Sequence, residues 1–409
     1  SPGSRRRPRR SSKPRRMADV DDAEAVPVPL PSGPDILRVT TFNLLAPVWT
    51  HQSIYPGMDM AEFDPPKRRR QQLTVVKRLD PDILLMQECQ KTELDQLLVL
   101  EDGFLQLKYD VEFCPFPLTF WTNWLTDASD YQPRENGVCI LTKKSALKKV
   151  RAEHLPIDLP EWRNQLPESS LGAHACLVTV EVPSWQGARA LIVTSHLDAD
   201  SAHRAGLQGR ALCKRLLRVD ERRQCGGTLG QGLLQHEGRQ CDCVIWGGDF
   251  NMEYRNSALS AIQSEGFVRA SEEVRTPTVY AVMGCVHVDH VFCTPTLEDG
   301  AVELRSLGTY VPTCPQGHLF KVIPLLSEIQ FLTYVLKGER GRCLQAVTAV
   351  LMLLLFPLVL IVFSPVLIMA TCGKAGQLRR VSWALERWGS DHLPVTVGIR
   401  GSPRARGPE

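Results

Sequence analysis

Residues 244–251, Val-Ile-Trp-Gly-Gly-Asp-Phe-Asn, constrain the fold more than any other stretch of the chain. A short apolar run leads into two glycines and then sets Asp249 and Asn251 two residues apart. With Val244–Trp246 as a buried strand, both polar side chains leave its C-terminal end on one face, because strand side chains alternate. α/β sheets build their sites at that end. A carboxylate beside a carboxamide suits the orientation of a water together with a hydrogen bond to a phosphate oxygen. Gly, Asp and Asn are also ordinary turn residues, so the octet alone leaves a plain turn open.

The rest of the chain repeats the pattern. Runs over 36–43, 82–86, 137–141, 175–182, 188–195, 286–292 and 395–399 read as strands, and 66–79, 202–218 and 257–263 as helices. Asn43, Glu88, His196, Asp249 with Asn251, Asp289, and Asp391 with His392 stand at or beside strand ends. Each alone has an ordinary explanation, since a Glu is often a cap and a His after a strand is more often structural. Together they place acids, amides and histidines on one sheet rim, which is what metal-assisted phosphoryl chemistry requires.

Bulk charge argues neither for nor against a polyanionic partner. The chain has 409 residues, enough for one large domain or two ordinary ones, and its apolar share of 43% is that of a globular protein. Residues 1–16 hold eight Lys and Arg and no acid, leaving 40 basic against 45 acidic residues elsewhere. This basic tail reads as an arm or nuclear signal, or as sequence upstream of a start at Met17. Residues 19–34 are acidic and Pro-rich, as in a linker. The 13 cysteines form no regular framework and there is no Asn-X-Ser/Thr sequon, so reduced thiols inside the cell, in cytoplasm or nucleus, are expected. Cys225, His236, Cys241 and Cys243 are close in sequence, but their spacing matches no standard zinc site.

Thr41-Phe-Asn43, Leu85-Met-Gln-Glu88, Thr194-Ser-His196-Leu, Gly248-Asp249-Phe-Asn251, Val288-Asp289-His-Val-Phe and Ser390-Asp391-His392 resemble, in order, the signatures of the endonuclease/exonuclease/phosphatase superfamily. The resemblance spans 36–399 and implies a four-layered α/β sandwich, two packed mixed sheets flanked by helices. It implies that Glu88 holds Mg²⁺ (Mn²⁺ as a substitute), with Asn43 positioning it and Asp391 sharing it. Asp249 would orient the attacking water, and Asn251 and His196 would donate to the phosphate. His392 would be general base or phosphate ligand, its tautomer fixed by Asp289. The segment from Phe42 to Glu88 is most similar to the deadenylase and nocturnin branch, where Arg68 would fill a substrate-binding position. Thr194–Leu197 followed by Arg204 and Gln208 is similar to tyrosyl-DNA phosphodiesterases, with Ser195 a departure from the usual Thr. Nucleic acid is therefore the leading substrate. Trp121, Trp124, Tyr131 and Arg134 form an aromatic segment suited to stacking bases or, equally, to an ordinary loop with buried tryptophans.

A second feature competes with this reading. Cys343–Gly373 is a run of 31 residues without a charge, and about 20 apolar residues span a bilayer core. Lys and Arg flank both sides, so charge gives no orientation. The expected organisation is a tail over 1–34, the main catalytic part over 35–311, an apolar helical insertion over 312–388 with a membrane-associated stretch at 345–371, the last motif and strand over 389–400, and a tail over 401–409. A single crossing would separate Asp391-His392 from the other motifs, so a re-entrant loop, a hairpin or an interfacial helix is required. Direct joining of Tyr310 to Ser390 would restore the usual compactness, which leaves open that 312–388 is foreign to the fold. Membrane association makes a phospholipid or phosphoinositide headgroup the alternative substrate, and a non-catalytic binding module is the third reading.

Overall fold

The computed structural model describes residues 30–312 and 376–403, apart from 53, 116–135, 158–173, 200–201, 218–234, 237–238, 254–255, 272–275, 282–283 and 296–301. In chain order the elements are β1 (Ile36–Asn43), α1 (Pro65–Leu79), β2 (Ile83–Gln90), α2 (Lys91–Lys108), β3 (Tyr109–Pro115), β4 (Asn136–Lys143) and β5 (Lys148–Pro156). Then come β6 (His174–Val182), β7 (Ala188–His196), α3 (Ala202–Leu217), β8 (Gln235–His236), β9 (Arg239–Gln240), β10 (Cys243–Asp249) and α4 (Ser257–Ser264). The chain continues through β11 (Val268–Arg269), β12 (Val279–Ala281), β13 (Gly284–Val286), β14 (Asp289–Cys293), β15 (Val302–Tyr310), a helix α5 over 376–388, and β16 (Val395–Pro403).

Strands that are apolar on both faces need cover on both, and this chain supplies it with two sheets back to back. One runs β15-β16-β1-β2-β4-β3, the other β11-β14-β10-β7-β6-β5. Within each, one central pair is parallel, β1 with β2 and β7 with β10, and the other pairs are antiparallel. Val39, Ile83, Leu85, Ile140, Val178, Ile192, Ile245, Val291 and Val397 fill the space between the sheets. Each such side chain contributes about 1.5–3 kcal/mol of burial. The outer face of the first sheet is covered by α1, α2 and α5, through Leu73, Val76, Leu97, Val381 and Leu385. That of the second is covered by α3 and α4, through Leu212, Leu216, Leu259 and Ile262. The result is the four-layered sandwich.

Local sequence explains the element that matters most for the site. Asp64 caps α1 by accepting from the Lys67 amide, and Pro65 and Pro66 occupy the first turn, where an amide has no intrahelical partner. Asp80 ends the helix in a left-handed conformation, φ 45°.

Two sequence expectations change. The strand expected over 286–292 is interrupted at His287-Val288, because the amides of Val288 and Asp289 both donate to the Thr278 hydroxyl rather than to a ladder. Residues 376–388, expected within the insertion, form α5, whose Val381, Ala384, Leu385 and Trp388 are part of the packed core. The basic tail, the apolar run at 345–371, Trp121, Trp124, Tyr131, Arg134 and Cys225 lie outside the described residues. Among the described residues no helix is long and apolar enough to cross a membrane.

Candidate active site

Two parallel strand pairs end side by side, and their C-terminal ends carry the polar residues. Asn43 stands opposite Gln87 in the β1–β2 register, while Asp249 stands opposite His196 on one neighbour and Asp289 on the other. Residues in register share a face, so His196, Asp249 and Asp289 project together. β10 can lie this close to β7 only because residue 248 is glycine: a Cβ there would sit 2.0 Å from the Ser195 carbonyl oxygen. Glu88 occupies a bulge between Met86 and Cys89 in the β2–β4 pairing, with φ 52°. Such a bulge re-aims a side chain out of the alternation.

The last motif arrives from the other end of the chain. Leu393 donates its amide to the Thr278 carbonyl and Tyr280 donates to that of Asp391, which pins 391–393 against β12. Ser390 donates its hydroxyl to the Asn43 carbonyl and accepts from the His392 amide.

The geometry is dense. Asn43 Nδ2 donates to Glu88 Oε1 at 2.8 Å and to Asp249 Oδ2 at 3.0 Å, while its Oδ1 accepts from the Leu45 amide. Glu88 Oε2 accepts from the Ala46 amide at 2.9 Å. Asp249 Oδ1 accepts from the Asn251 amide, and its Oδ2 lies 3.6 Å from His196 Nε2 and 3.8 Å from His392 Nε2. His392 Nδ1 is 3.0 Å from Asp289 Oδ2. Asn251, at φ 50°, donates Nδ2 to the Leu197 carbonyl at 2.8 Å. Among the described residues, Glu88, Asp249 and His392 form the one group of three ligand-bearing side chains, its atoms within 4.8 Å of one another. The two carboxylates fit a hard divalent cation that completes its shell with water and phosphate oxygens, with the imidazole beside them.

Burial sets the electrostatics. Burial would pull the His392 imidazole down, but Asp289, Asp249 and Asp391 together push it up to about 10. Asp249 is raised above the ordinary carboxylate value, first by burial and then by Asp289, against the pull of His196 and His392. Burial also raises Asp391, and His392 and the Tyr55 hydroxyl oppose it.

Three residues singled out in the sequence have partners within the fold. Arg68, expected at the substrate, is 3% exposed and donates to the carbonyls of Leu44, Leu45 and Gly389, so it braces backbone instead. Asp391, expected to share the metal, stands outside the three-residue group and accepts the Tyr55 hydroxyl at 2.7 Å. Arg204 pairs with Asp198 at 3.1 Å, two residues beyond His196. Ser195, the departure from the usual Thr, is buried and accepts from the Trp246 indole at 2.9 Å. Tyr55 and Gln72 escaped sequence reasoning, because neither lies in a motif. Gln87 was visible only as the neighbour of Glu88; it accepts from the Thr41 hydroxyl and donates to that of Thr194, joining the two sheets. Cys241 and Cys243 are buried thiols that join no metal-binding group among the described residues.

A profile of the Endonuclease/Exonuclease/phosphatase family matches residues 41–392. No curated protein sequence matches the chain. Similar solved structures include ANGEL2, a 2′,3′-cyclic phosphatase, at 12% identity and TM-score 0.53, with 89% of this chain and 95% of that one covered. An endonuclease/exonuclease/phosphatase family protein from Bacteroides thetaiotaomicron is similar at 13% identity and TM-score 0.52, covering 91% and 98%. The human Nocturnin catalytic domain is similar at 15% identity and TM-score 0.49, covering 90% and 95%. The motifs in their order, the paired sheets and the matched profile together place this chain in the Endonuclease/Exonuclease/phosphatase family of metal-dependent phosphoric ester hydrolases.

Proposed function

We propose that the chain is a Mg²⁺-dependent phosphodiesterase that hydrolyses nucleic acid by direct attack of water on phosphorus. The observation that carries this reading is the meeting of Glu88, Asp249 and His392, brought from β2, β10 and the turn before β16 to within 4.8 Å. Mg²⁺ bound there would offset negative charge on the phosphoryl oxygens. Glu88 is the carboxylate that would hold it, fixed by Asn43 and the Ala46 amide.

Asp249 accepts the proton of the attacking water. Its raised affinity for protons makes it a better base than a solvated carboxylate. His392, charged at neutral pH and anchored through Nδ1 to Asp289, presents Nε2 as a donor to a non-bridging oxygen. His196 donates to a second oxygen from β7, and Asn251 orients beside it. Family membership implies water as the nucleophile, without a covalent intermediate.

The likeness of the segment from Phe42 to Glu88 to the deadenylase and nocturnin branch, and of Thr194–Leu197 with Arg204 and Gln208 to tyrosyl-DNA phosphodiesterases, supports nucleic acid. The deciding experiment presents the full chain and Mg²⁺ with oligoadenylate, 5′-tyrosyl DNA and sphingomyelin in micelles, each with and without EDTA. EDTA-sensitive release from either nucleic acid is expected. Turnover of sphingomyelin alone would transfer the chain to lipid substrates, and EDTA-insensitive turnover would remove the metal from the reading.

A further inference from the structure

The candidate site is assembled from two backbone segments far apart in the chain. Leu44–Ala46, just beyond β1, supplies the Leu45 amide to Asn43 and the Ala46 amide to Glu88. Gly389–His392 supplies Ser390, whose hydroxyl holds the His392 amide. α1 touches both. Arg68 donates Nε to the Gly389 carbonyl at 2.8 Å and Nη2 to the carbonyls of Leu44 and Leu45. One turn on, Gln72 Nε2 donates to the Leu44 carbonyl at 3.0 Å and to the Gly389 carbonyl at 2.9 Å. Two side chains of one helix thus hold the same two segments in parallel.

The fit is close on both sides. Gly389 has φ +70°, and a Cβ on it would lie 2.5 Å from the Arg68 carbonyl oxygen, so the turn rests directly on the helix. Arg68 and Gln72 are both buried. A guanidinium is a rigid fork, able to fix two acceptors relative to each other in a way a lysine ammonium cannot. Groups that orient ligand-bearing segments commonly matter as much as distances within the ligand set.

We propose that Arg68 and Gln72 form a clamp that sets the separation between Glu88 and His392, making them positioning residues for the hydrolysis. This rests on the reading of the site given above. The clamp acts on geometry, so its loss loosens metal binding and slows turnover in a protein that remains folded.

The test uses Arg68→Lys, which keeps the charge and loses the fork, and Gln72→Met, which keeps the shape and loses both donors. Gln71→Ala is the control: Gln71 lies on the same helix but donates to the Glu386 carbonyl on α5, away from both segments. Mn²⁺ affinity is read by electron paramagnetic resonance, kcat and KM with bis(p-nitrophenyl) phosphate, and folding by circular dichroism and Tm. The expected result is a ~10-fold or greater loss in Mn²⁺ affinity and in kcat for Arg68→Lys and a smaller one for Gln72→Met, with KM little changed and Gln71→Ala at native values. Native Mn²⁺ affinity and kcat in folded clamp variants would overturn the proposal, as would a fall in Tm alone. If Arg68→Lys does not fold, Gln72→Met decides by itself. If the native chain binds Mn²⁺ but cleaves no phosphodiester, the proposed function fails while Mn²⁺ affinity still decides the clamp. A native chain that binds no Mn²⁺ overturns both.

Discussion

His392 and Asp289 meet at 3.0 Å, Nδ1 to Oδ2, although 103 residues separate them. The contact fixes which nitrogen faces the site and keeps the ring charged, with its titration pushed up to about 10. Asp289→Asn is expected to lower kcat by roughly 10⁴-fold, as when the carboxylate behind a catalytic imidazole is neutralised. NMR of the imidazole in metal-free protein provides the check: the native ring titrates near 10, the variant ring well below it. The stability sign follows. A raised histidine stabilises the fold fully below its ordinary 6.5 and loses that contribution as pH rises through about 10. The stability gap between native and variant chains should therefore close across that window.

Glu88→Gln and Asp249→Ala should each abolish Mg²⁺-supported hydrolysis while leaving the circular dichroism spectrum intact. The native chain should also gain thermal stability on adding Mg²⁺, by about 2.7 kcal/mol at a hundredfold excess over Kd, and lose it in EDTA. A Glu88→Gln protein that shows the same Mg²⁺-dependent rise in Tm would remove Glu88 from the metal site.

Tyr55→Phe takes the donor from one oxygen of a buried carboxylate whose other oxygen, Asp391 Oδ1, already lacks a hydrogen bond. A cost of roughly 1–3 kcal/mol is expected. Burial raises Asp391 above its ordinary 3.8, and without the Tyr55 donor it rises further. An acid raised in the fold loses stability as it ionises, so the deficit should be smallest in acid and widen as pH increases above 3.8. Urea midpoints of both proteins from pH 3 to 8 test the trend.

Gly248→Ala sets a methyl against the Ser195 carbonyl oxygen, 2.0 Å away. Backbone cannot yield as a flexible side chain does, so the cost should reach or exceed about 3 kcal/mol. The measurement is the urea midpoint, and a midpoint equal to the native one would refute the close approach of β10 to β7.

Much of this arrangement was legible before any coordinates. β1, β2, β7 and β10 are apolar runs ending in polar residues, and that pattern located Asn43, Glu88, His196, Asp249 and Asn251. β5 escaped because it is an edge strand, largely charged and half exposed, with no apolar run to announce it. α2 is broken at Leu100–Gly103, which disrupts its periodicity. Spacing singles out Arg68 but cannot say whether its guanidinium faces a ligand or, as here, the carbonyls of Leu44, Leu45 and Gly389. Tyr55 meets Asp391 across 336 residues without any local signature.

The position of β16 carries a consequence for how the molecule comes into being. It follows every other described strand in the chain, yet it lies between β15 and β1, pairing Ile36 with Arg400 and Thr41 with Val395. During synthesis β1 emerges early and must wait for a neighbour made more than 350 residues later. Until then its edge is open, a state that is slow to resolve and exposed to aggregation. His392 emerges just ahead of that strand, so a nascent chain holds Glu88 and Asp249 long before it holds the imidazole that meets them. On the proposed reading of the site a growing chain is inactive, and its need of chaperones is greatest in the interval before the last strand docks.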